Sequence, residues 1–327
     1  MRCLYCGKPL NGNALKSEVS WGWHKRCVRS FFGTKEMPVL DISEEGLELL
    51  AKATVDKGLT VPGVQKKLSL HLSQDSNARL TIVDYPTGYI LKPQADEFPC
   101  LPEAEDLCMR LAETAGIQTV PYGLVKIEMQ NEAYAYITKR IDRSIKYEGE
   151  GNSKIEMYAM EDFCQLNYRL TQDKYRGSYE KCAKVITTHS CRPGLDLSEL
   201  FLRIAFSFVT GNSDMHLKNF SLIEKEPGSR EFVLSKAYDL LPVNVIMPED
   251  TEELALTLNG KKKNIRKSDF LKFADTCGIS RKSAENLLGK LVSLEGTFLK
   301  QCEESKLPCE MKISMENLIQ ARTAVIT

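Results

Sequence analysis

The separation of strand-like from helix-like sequence is the feature that most constrains how this chain can fold. Apolar residues alternate in several segments of the first half, and this alternation predicts strands of an antiparallel sheet. The segments are LSLHL (68–72), RLTIVDY (79–85), GYILKP (88–93), YGLVKIEM (122–129) and AYAYITKRI (133–141). From about residue 155 the apolar spacing becomes mostly helical. Strands and helices that are segregated along the chain favour an α+β fold over a doubly wound sheet.

Helices are predicted wherever apolar residues recur at helical spacing between recognisable start and stop signals. In the first half these are DISEEGLELLAKATVDKG (41–58) and LPEAEDLCMRLAETAG (101–116), and each ends at a glycine. In the second half they are MEDFCQLNYRL (160–170), SYEKCAKVITTH (178–189), residues 195–209 and two or more helices after residue 268. NFSLIE (219–224) and EFVLSKAYD (231–239) predict a short strand pair among them.

Composition excludes several classes of function. The chain of 327 residues is long enough for about two domains. Lys+Arg and Asp+Glu balance at 44 each, so no overall charge favours nucleic acid or an acidic membrane surface as a partner. No stretch is apolar enough to cross a membrane and MRCLYCGKPL lacks a signal-peptide pattern, which together predict a cytoplasmic protein. The 11 cysteines are therefore expected to be reduced thiols, some of them metal-bound, rather than a disulfide framework.

The first block of the chain, residues 1–37, carries two pairs of residues that bind metals. Cys3 and Cys6 lie in CLYC, and His24 and Cys27 lie in WHKRC, with the spacing C-x2-C-x17-H-x2-C. Three thiolates and an imidazole suit a tetrahedral structural Zn²⁺, and each pair can fold back as a knuckle in a segment too short for its own core. The alternative is a set of thiols in a reduced protein together with a stray histidine. The other cysteines show no paired spacing, so core packing is their expected role.

The segment VTGNSDMHLKNFSL (209–222) follows the apolar run LFLRIAFSFV and concentrates polar residues. Asp214 and Asn219 are five positions apart, with His216 and Lys218 between them. Asp, Asn, Gly and Ser are ordinary turn formers, so this spacing by itself more often marks a polar turn than a functional site.

The order of several such weak signals is more informative than any one of them. Phosphoryl transfer from ATP requires a loop over the phosphates, a strand Lys, a Glu that orients it, an Asp beside the acceptor hydroxyl, and an Asn and a second Asp for metal ions. The chain offers candidates in this order: TVPGVQKK (60–67), Lys92, Glu105, Asp214, Asn219 and Asp239. Taken singly, these residues are more often a surface lysine, a solvent-facing glutamate and turn formers, and Glu103 is close enough to be confused with Glu105. Together they predict a kinase-like site.

The motifs TVPGVQKK, YILKP, TKRIDR, MEDFCQ, GNSDMHLKNFSL and AYDLLP resemble the HipA family of serine/threonine kinase toxins. The resemblance runs from about residue 58 to beyond residue 245. GNSDMHLKNFSL is its most diagnostic part, because ordinary protein kinases place a His before the catalytic Asp, whereas this family has D-x-H-x-K-N. The resemblance implies a two-lobed, protein-kinase-like fold with a β-rich N-lobe and a mostly α-helical C-lobe, and phosphorylation of proteins that depends on ATP and Mg²⁺.

The resemblance implies a role for each polar residue of the second half. Asp214 corresponds to the family's catalytic Asp, and Asn219 and Asp239 to its Mg²⁺ ligands. His216 falls on the family's loop His, for which a supporting role is expected. Lys218 falls on a loop Lys that would meet the γ-phosphate.

In the first half the resemblance implies the nucleotide contacts. Lys92 corresponds to the ATP-contacting Lys, and Glu105 is its expected partner. Thr138, Lys139 and Ile141 match the segment that links the lobes, where backbone groups would meet adenine.

The loop TVPGVQKK corresponds to the family's phosphate-covering loop, which typically begins with a Ser that is autophosphorylated. Thr60 occupies that place, so autophosphorylation at Thr60 is expected in its stead. Val61 and Gly63 would present backbone N–H groups to the phosphates. A plain Pro-Gly turn between strands is the alternative.

The predicted division is a Cys/His segment at 1–37 that resembles a zinc ribbon, an N-lobe at 38–141 and a C-lobe at 142–327. About 57 residues precede the phosphate-covering loop, where longer family members carry an additional subdomain. The chain therefore resembles the short, HipT-like form, whose missing subdomain is supplied by a separate small protein. The resemblance implies inhibition by such a partner and by a helix-turn-helix DNA-binding antitoxin. Direct contact with nucleic acid or membrane is not expected.

The sequence thus favours a bacterial toxin of a toxin–antitoxin module that phosphorylates a translation component such as an aminoacyl-tRNA synthetase. Two alternatives stay open. One is a weak or inactive kinase fold that binds partners through its cysteine block, and the intact Lys/Asp/Asn/Asp set argues against it. The other is a small-molecule phosphotransferase with the same Asp-to-Asn spacing, against which only the resemblance of TVPGVQKK and MEDFCQ argues.

Overall fold

A computed structural model describes residues 1–10, 15–41, 67–73, 78–81, 88–95, 97–127, 133–147 and 153–327 of the chain. Residues 42–58 of the first predicted helix, and Thr60, Val61 and Gly63 of the predicted phosphate-covering loop, lie outside these ranges. The chain forms two compact units, the first of residues 1–106 and 120–156 and the second of residues 107–119 and 157–327. The boundaries predicted at residues 37 and 141 stay predictions.

Unit 1 is built on a six-stranded sheet. Its strands are β1 (Val39–Asp41), β2 (Leu68–Ser73), β3 (Arg79–Thr81), β4 (Tyr89–Lys92), β5 (Tyr122–Ile127) and β6 (Ala133–Lys139). Their order is β1-β3-β2-β4-β6-β5, and all neighbours pair antiparallel except β1 and β3. The period-two pattern of the sequence is visible in β2, where Leu68, Leu70 and Leu72 are buried.

Two short helices precede the sheet and a second small sheet follows it. Helices α1 (Lys16–Trp21) and α2 (Lys25–Phe32) lie in the cysteine block. In α2 the buried apolar residues recur at helical spacing, as Val28 and Phe31 do, so one face of the helix is apolar. Strands β7 (Arg143–Tyr147) and β8 (Ser153–Met157) form a two-stranded sheet.

Helix α3 (Leu101–Thr114) begins in unit 1 and ends in unit 2. Its buried side chains include Ala104, Leu107 and Leu111, which the helical repeat brings to one face. Gly116 ends the segment with φ of 81°, a conformation that glycine adopts without a steric penalty.

Unit 2 is mostly helical. Its elements are β9 (Met160–Asp162), α4 (Phe163–Leu166), α5 (Tyr179–His189), α6 (Pro193–Thr210), β10 (Ser221–Glu224), β11 (Phe232–Leu234), α7 (Val243–Ile246), α8 (Lys267–Thr276), α9 (Arg281–Ser293), α10 (Glu295–Glu303) and α11 (Cys309–Ile326). Strands β9, β10 and β11 form an antiparallel sheet with β10 in the centre. Helix α6 is buried from Leu200 to Thr210 without a polar face, as expected of a helix at the centre of a core.

The structure confirms the α+β class and corrects two local predictions. MEDFCQLNYRL begins as a strand rather than a helix, because Met160, Glu161 and Asp162 pair with β10. EFVLSKAYD is a strand only as far as Leu234. Beyond it the Ser235 N–H still donates to the carbonyl of Ser221, the first residue of β10, at 2.8 Å, but the N–H of Ala237 donates to the carbonyl of Gln118 at 2.7 Å.

No helix in the described part of the chain is long and apolar enough to cross a membrane.

Candidate functional site

Lys92 and Glu105 form a buried ion pair in unit 1. Lys92 is the last residue of β4, an interior strand between β2 and β6, and Glu105 lies in the first turns of α3. The Lys92 Nζ lies 2.6 Å from the Glu105 Oε1, and the two side chains are 5% and 0% exposed. The ammonium also lies 5.3 Å from the centre of the Tyr136 ring. Lys92 is therefore not a surface lysine and Glu105 is not a solvent-facing glutamate. Their ion pair fixes the position of the Lys92 ammonium at the end of β4.

The segment predicted to meet adenine lies at the end of β6. The hydroxyl of Thr138 and the N–H of Lys139 both donate to the carbonyl of Pro121, at 2.9 and 3.0 Å. The Lys139 ammonium lies 5.4 Å from the centre of the Phe31 ring, and burial lowers the pKa of this lysine. Ile141 follows the strand and is half-buried. No described contact tests the predicted role of these residues.

The turn after this segment is fixed by charge. Asp142 accepts two hydrogen bonds from Arg140, at 2.9 and 2.7 Å, and one from Arg143 at 2.9 Å. Burial alone would raise the pKa of Asp142, but these hydrogen bonds lower it to about 2. The TKRIDR motif therefore holds the chain at this turn by a charged network rather than by apolar packing.

The polar loop of unit 2 begins where α6 ends. Gly211 has φ of 69°, and a Cβ atom placed on it would lie 2.4 Å from the Cδ2 of Leu318 and 3.2 Å from the Cβ of Asn244. The position therefore requires glycine both for its conformation and for its space. The N–H of Asn212 closes the helix end by donating to the carbonyl of Ser207 at 2.8 Å.

Hydrogen bonds to the backbone fix the positions of Asp214 and Asn219. The Asp214 carbonyl accepts from the N–H of His216 at 2.8 Å and from the Asn219 Nδ2 at 2.9 Å. The Asp214 N–H donates to the Asn212 Oδ1 at 3.2 Å. Because the amide nitrogen of the buried Asn219 is engaged with Asp214, the orientation of its Oδ1 is set as well. An Asp and an Asn five positions apart are thus linked directly.

Tyr175 contacts both the carboxylate and the histidine of the loop. Its hydroxyl donates to the Oδ1 of Asp214, and its ring packs edge-on against that of His216, with ring centres 5.1 Å apart. Burial and the charge of Asp214 raise the pKa of Tyr175, so the phenol stays protonated and remains a donor. Burial lowers the pKa of His216, so its imidazole is neutral at neutral pH.

Lys218 forms an ion pair with Asp162. Its Nζ lies 2.7 Å from the Asp162 Oδ2, and Asp162 also caps α4 by accepting from the Gln165 N–H at 2.9 Å. The Lys218 carbonyl accepts from the hydroxyl of Tyr238 at 3.1 Å. The ammonium is therefore held at a defined place, and its predicted contact with a γ-phosphate stays a prediction.

Asp239 lies five residues beyond the end of β11 and not at the end of a strand as the sequence predicted. Its φ of 60° is in the left-handed region, which few non-glycine residues adopt. Such conformations persist only where the surroundings enforce them, and they occur often at functional sites. Arg203, buried in α6, donates to the Ser235 carbonyl at 2.7 Å and supports this segment. The negative charges of Asp214 and Asp239 partly offset the effect of burial, which lowers the pKa of His216.

The four predicted zinc ligands come together in unit 1. The ligand atoms of Cys3, Cys6, His24 and Cys27 all lie within 4.8 Å of one another. None of the 11 cysteines forms a disulfide. Three thiols and an imidazole are the donor set of a structural metal site. The spacing of the two pairs in the sequence was enough to predict this cluster.

Several supporting residues were missed at the sequence level. Tyr175, Asp162 and Asn212 contact the loop, and Asp250 accepts from the hydroxyl of Ser213 at 2.6 Å. Asp162 and Asn212 carried a signal, since they lie in the MEDFCQ and GNSDMHLKNFSL motifs. The contacts of Tyr175 and Asp250 depend on long-range packing, which residue spacing does not encode.

Comparison with known proteins identifies the family. Residues 59–296 match the model of the HipA-like C-terminal domain. The chain belongs to this family. The family predicted from GNSDMHLKNFSL and the neighbouring motifs is thereby confirmed.

Relatives of this HipA-like chain carry kinase names. A putative kinase of Haemophilus influenzae is 26% identical over 299 residues, which cover 85% of this chain and 83% of the relative. Two putative kinases of Sinorhizobium fredii, Y4mE and Y4dM, are each 29% identical. The matched regions cover 68% and 78% of this chain but only 51% and 62% of those two relatives.

Two solved structures share the fold. The complex of HipA, HipB and operator DNA from Shewanella oneidensis matches with a TM-score of 0.66 and 19% identity, over 81% of this chain and 64% of the matched chain. The Helicobacter pylori proinflammatory kinase CtkA matches with a TM-score of 0.53 and 14% identity, over 79% of this chain and 93% of that one. The predicted kinase-like fold is therefore confirmed, and these likenesses establish the fold alone.

Proposed function

We propose that this HipA-like chain is an ATP- and Mg²⁺-dependent serine/threonine protein kinase that acts as a bacterial toxin in the cytoplasm. Family membership, the putative kinases among its relatives and the fold shared with CtkA support a kinase. We retain the division into an N-lobe at 38–141 and a C-lobe at 142–327 as part of this proposal.

One observation carries the proposal most directly. The Asn219 side chain donates to the carbonyl of Asp214 at 2.9 Å, so an amide oxygen is oriented by the same residue that offers the carboxylate. The left-handed backbone of Asp239 is a second conformation that the surroundings must enforce.

The oxygen donors of this region fit Mg²⁺. Asn219 and Asp239 would hold the ion through an amide oxygen and a carboxylate, which are the hard ligands that Mg²⁺ prefers, and no thiolate competes among them. Mg²⁺, when bound, would neutralise charge on the phosphate oxygens of ATP. A structural Zn²⁺ in the Cys/His cluster takes no part in this phosphoryl transfer.

The side chains of the chain have separate tasks in the proposed reaction. Lys92, kept in place by Glu105, binds phosphate oxygens of ATP, and Asp214 orients the hydroxyl of a substrate Ser or Thr. The hydroxyl oxygen forms a bond to the γ-phosphorus as the bond from that phosphorus to the bridging oxygen of ADP breaks. The hydroxyl proton passes to the Asp214 carboxylate. The Tyr175 hydroxyl holds that carboxylate in place, the backbone N–H of His216 holds the Asp214 carbonyl, and Lys218 is proposed to meet the transferred phosphoryl group.

Substrate and partners follow from the family resemblance. We propose a translation component such as an aminoacyl-tRNA synthetase as the substrate, and Thr60 as an autophosphorylation site. The Shewanella HipA is found with HipB and operator DNA. For this chain we propose a helix-turn-helix antitoxin and a separate small subdomain-like protein as inhibitory partners. Phosphates of ATP would meet backbone groups of Val61 and Gly63, and adenine those of Thr138, Lys139 and Ile141.

Phosphate incorporation from labelled ATP tests the proposal. The purified chain is incubated with ATP and Mg²⁺, alone and with a bacterial lysate, and labelled sites are mapped by mass spectrometry. Asp214→Asn should lower incorporation by about 10²–10⁴-fold, whereas Asp275→Asn, which changes an exposed carboxylate of α8, should leave it intact. Incorporation into no protein would favour the inactive binding module, and label found only in small molecules would favour the other phosphotransferase class. Equal label with Asp214→Asn would refute the assigned role of Asp214.

A further inference from the structure

Two separations within the Cys/His cluster match those between ligands of a tetrahedral ion. The His24 Nδ1 lies 3.5 Å from the Cys6 Sγ and 3.7 Å from the Cys27 Sγ. A tetrahedral Zn²⁺ with its usual bonds to sulfur and nitrogen places ligand atoms roughly 3.5–3.8 Å from one another. These two separations therefore fit an ion at the centre of the cluster with little rearrangement.

The imidazole of His24 is oriented for binding through Nδ1. Its other nitrogen, Nε2, lies 3.2 Å from the carbonyl oxygen of Pro9. A hydrogen bond from Nε2–H to this carbonyl leaves the lone pair on Nδ1, the atom that faces the two sulfurs. Metal-binding histidines commonly donate their second nitrogen in this way.

Local backbone hydrogen bonds shape both ligand pairs. The Cys3 N–H donates to the Lys8 carbonyl and the Gly7 N–H to the Cys3 carbonyl, both at 2.9 Å. Gly7 has φ of 68°, which lets the chain fold back after Cys6. The second pair lies at the start of α2, where the Cys27 N–H donates to the His24 carbonyl at 2.9 Å. The ligands therefore sit on two tight turns and not on extended chain.

Residues next to the ligands attach the block to the edge of the sheet. Strand β5 is an edge strand, and its Leu124 N–H donates to the carbonyl of Leu4 at 3.1 Å. The Leu124 carbonyl accepts from the Trp23 Nε1 at 2.8 Å. Leu4 follows Cys3 directly, and Trp23 precedes His24 directly. On an edge strand, the N–H and the carbonyl of Leu124 have no partner within the described sheet. Here both bond to residues that directly adjoin proposed metal ligands.

The contact is close packed as well as hydrogen-bonded. A Cβ atom on Gly123 would lie 2.9 Å from the Trp23 ring, so glycine is needed for the indole to lie on β5. Trp23 is 0% exposed, and its ring stacks on that of Tyr5 with centres 5.1 Å apart. Phe31 packs against Trp23 from α2, with ring centres 5.4 Å apart.

We propose that Cys3, Cys6, His24 and Cys27 bind one structural Zn²⁺, and that this ion holds the described residues 1–10 and 15–33 of the cysteine block against strand β5. A segment of this size cannot bury enough surface to order itself, so a metal that joins its two turns supplies the missing constraint. Three thiolates and an imidazole in a closed set select zinc for structure rather than for catalysis. The proposal is independent of the proposed phosphoryl transfer.

Metal content and tryptophan fluorescence test it together. The only two tryptophans, Trp21 and Trp23, both lie in the block, so their emission reports on this region alone. The chain purified under reducing conditions should contain about one equivalent of zinc. Removal of the ion by a strong chelator should shift the emission to longer wavelength as Trp23 meets water, and added Zn²⁺ should restore it.

Variants separate binding of the ion from docking of the block. Cys27→Ser should lose the zinc and show the shifted emission, whereas Cys309→Ser, at an exposed cysteine, should do neither. Gly123→Val should shift the emission while one zinc remains, because the side chain displaces the indole and spares the ligands. If Cys27→Ser does not fold, the change of tryptophan emission on reversible chelation of the unaltered chain tests the proposal instead.

Three outcomes overturn the proposal. They are less than about half an equivalent of zinc, one equivalent of iron in its place, or removal of the zinc without any change in tryptophan emission.

Discussion

The Lys92–Glu105 pair of unit 1 and the Asp214–Asn219 loop of unit 2 hold their charges in different ways. In the pair, two opposite charges lie 2.6 Å apart with almost no exposure, so each neutralises the other. In the loop, the Asp214 carboxylate accepts from a phenol, and backbone groups hold the chain around it. The pair depends on electrostatic compensation, whereas the loop depends on directed hydrogen bonds. Substitutions should therefore affect stability and activity to different degrees in the two places.

After Asp214 itself, the largest loss of activity should come from Asp239, the proposed Mg²⁺ ligand. Asp239→Asn keeps a residue type that tolerates the left-handed conformation, so the fold should persist. Loss of the carboxylate should lower phosphate incorporation by about 10²–10³-fold, the range seen when one electrostatic contact to a transition state is removed. Activity measured against Mg²⁺ concentration checks this. If Asp239→Asn turned over as fast as the unaltered chain at the same Mg²⁺ concentration, Asp239 would not be a Mg²⁺ ligand.

Breaking the buried pair should lower stability as well as activity. Lys92→Met removes the cation that is paired with the buried Glu105 and should reduce the free energy of unfolding by about 3–5 kcal/mol. Lys92→Met with Glu105→Met replaces both charges and should recover much of that stability, because buried ion pairs are often replaceable by apolar residues. Neither the single nor the double variant should transfer phosphate, because both lack the Lys92 ammonium. Activity in the double variant would show that the pair is structural only.

Gly211 tests how far the loop depends on the end of α6. Gly211→Ala adds a Cβ at a left-handed position, 2.4 Å from a Leu318 methyl group, and should lower the free energy of unfolding by about 1–3 kcal/mol. Gly289→Ala is the matched control, because that glycine lies inside α9 with nothing within 4 Å. It should raise stability by about 0.5–1 kcal/mol. Equal effects in thermal unfolding would contradict the requirement for glycine at 211.

The smallest effect should come from Tyr175. Tyr175→Phe removes the hydroxyl that donates to Asp214 but keeps the ring against His216. Because 41% of Tyr175 is exposed, water can replace the lost donor, and turnover should fall by only about tenfold or less. Steady-state kinetics check this. A loss as large as that of Asp239→Asn would mean that Tyr175 contacts the reacting groups itself.

The same comparison shows what the sequence could predict. Lys92 and Glu105 lie at the end of one strand and the start of the next helix, so local pattern was enough to pair them. The clustering of Cys3, Cys6, His24 and Cys27 was predictable for a similar reason, because they form two short pairs in the sequence. The loop is supported from Tyr175, 39 residues before Asp214, and from Asp162, 56 residues before Lys218. Only the packing of unit 2 brings these together.

The structure around Asp239 could not be predicted from the sequence pattern. The alternation of apolar residues in EFVLSKAYD predicted a strand through residue 239. The strand ends earlier because its antiparallel partner, β10, begins at Ser221. Asp239 stays a predicted Mg²⁺ ligand on the strength of its family motif, and that motif did not indicate its backbone conformation. The roles of Thr60, Val61 and Gly63 stay predictions.

Binding and turnover of ATP in Asp214→Asn test the central claim most directly. The claim is that Asp214 acts on the acceptor hydroxyl while other residues bind the nucleotide. We expect the dissociation constant of ATP with Mg²⁺, measured by calorimetry, to stay close to that of the unaltered chain, and phosphate transfer to fall by about 10²–10⁴-fold. Transfer within tenfold of the unaltered chain, or no ATP binding by either protein, would contradict it.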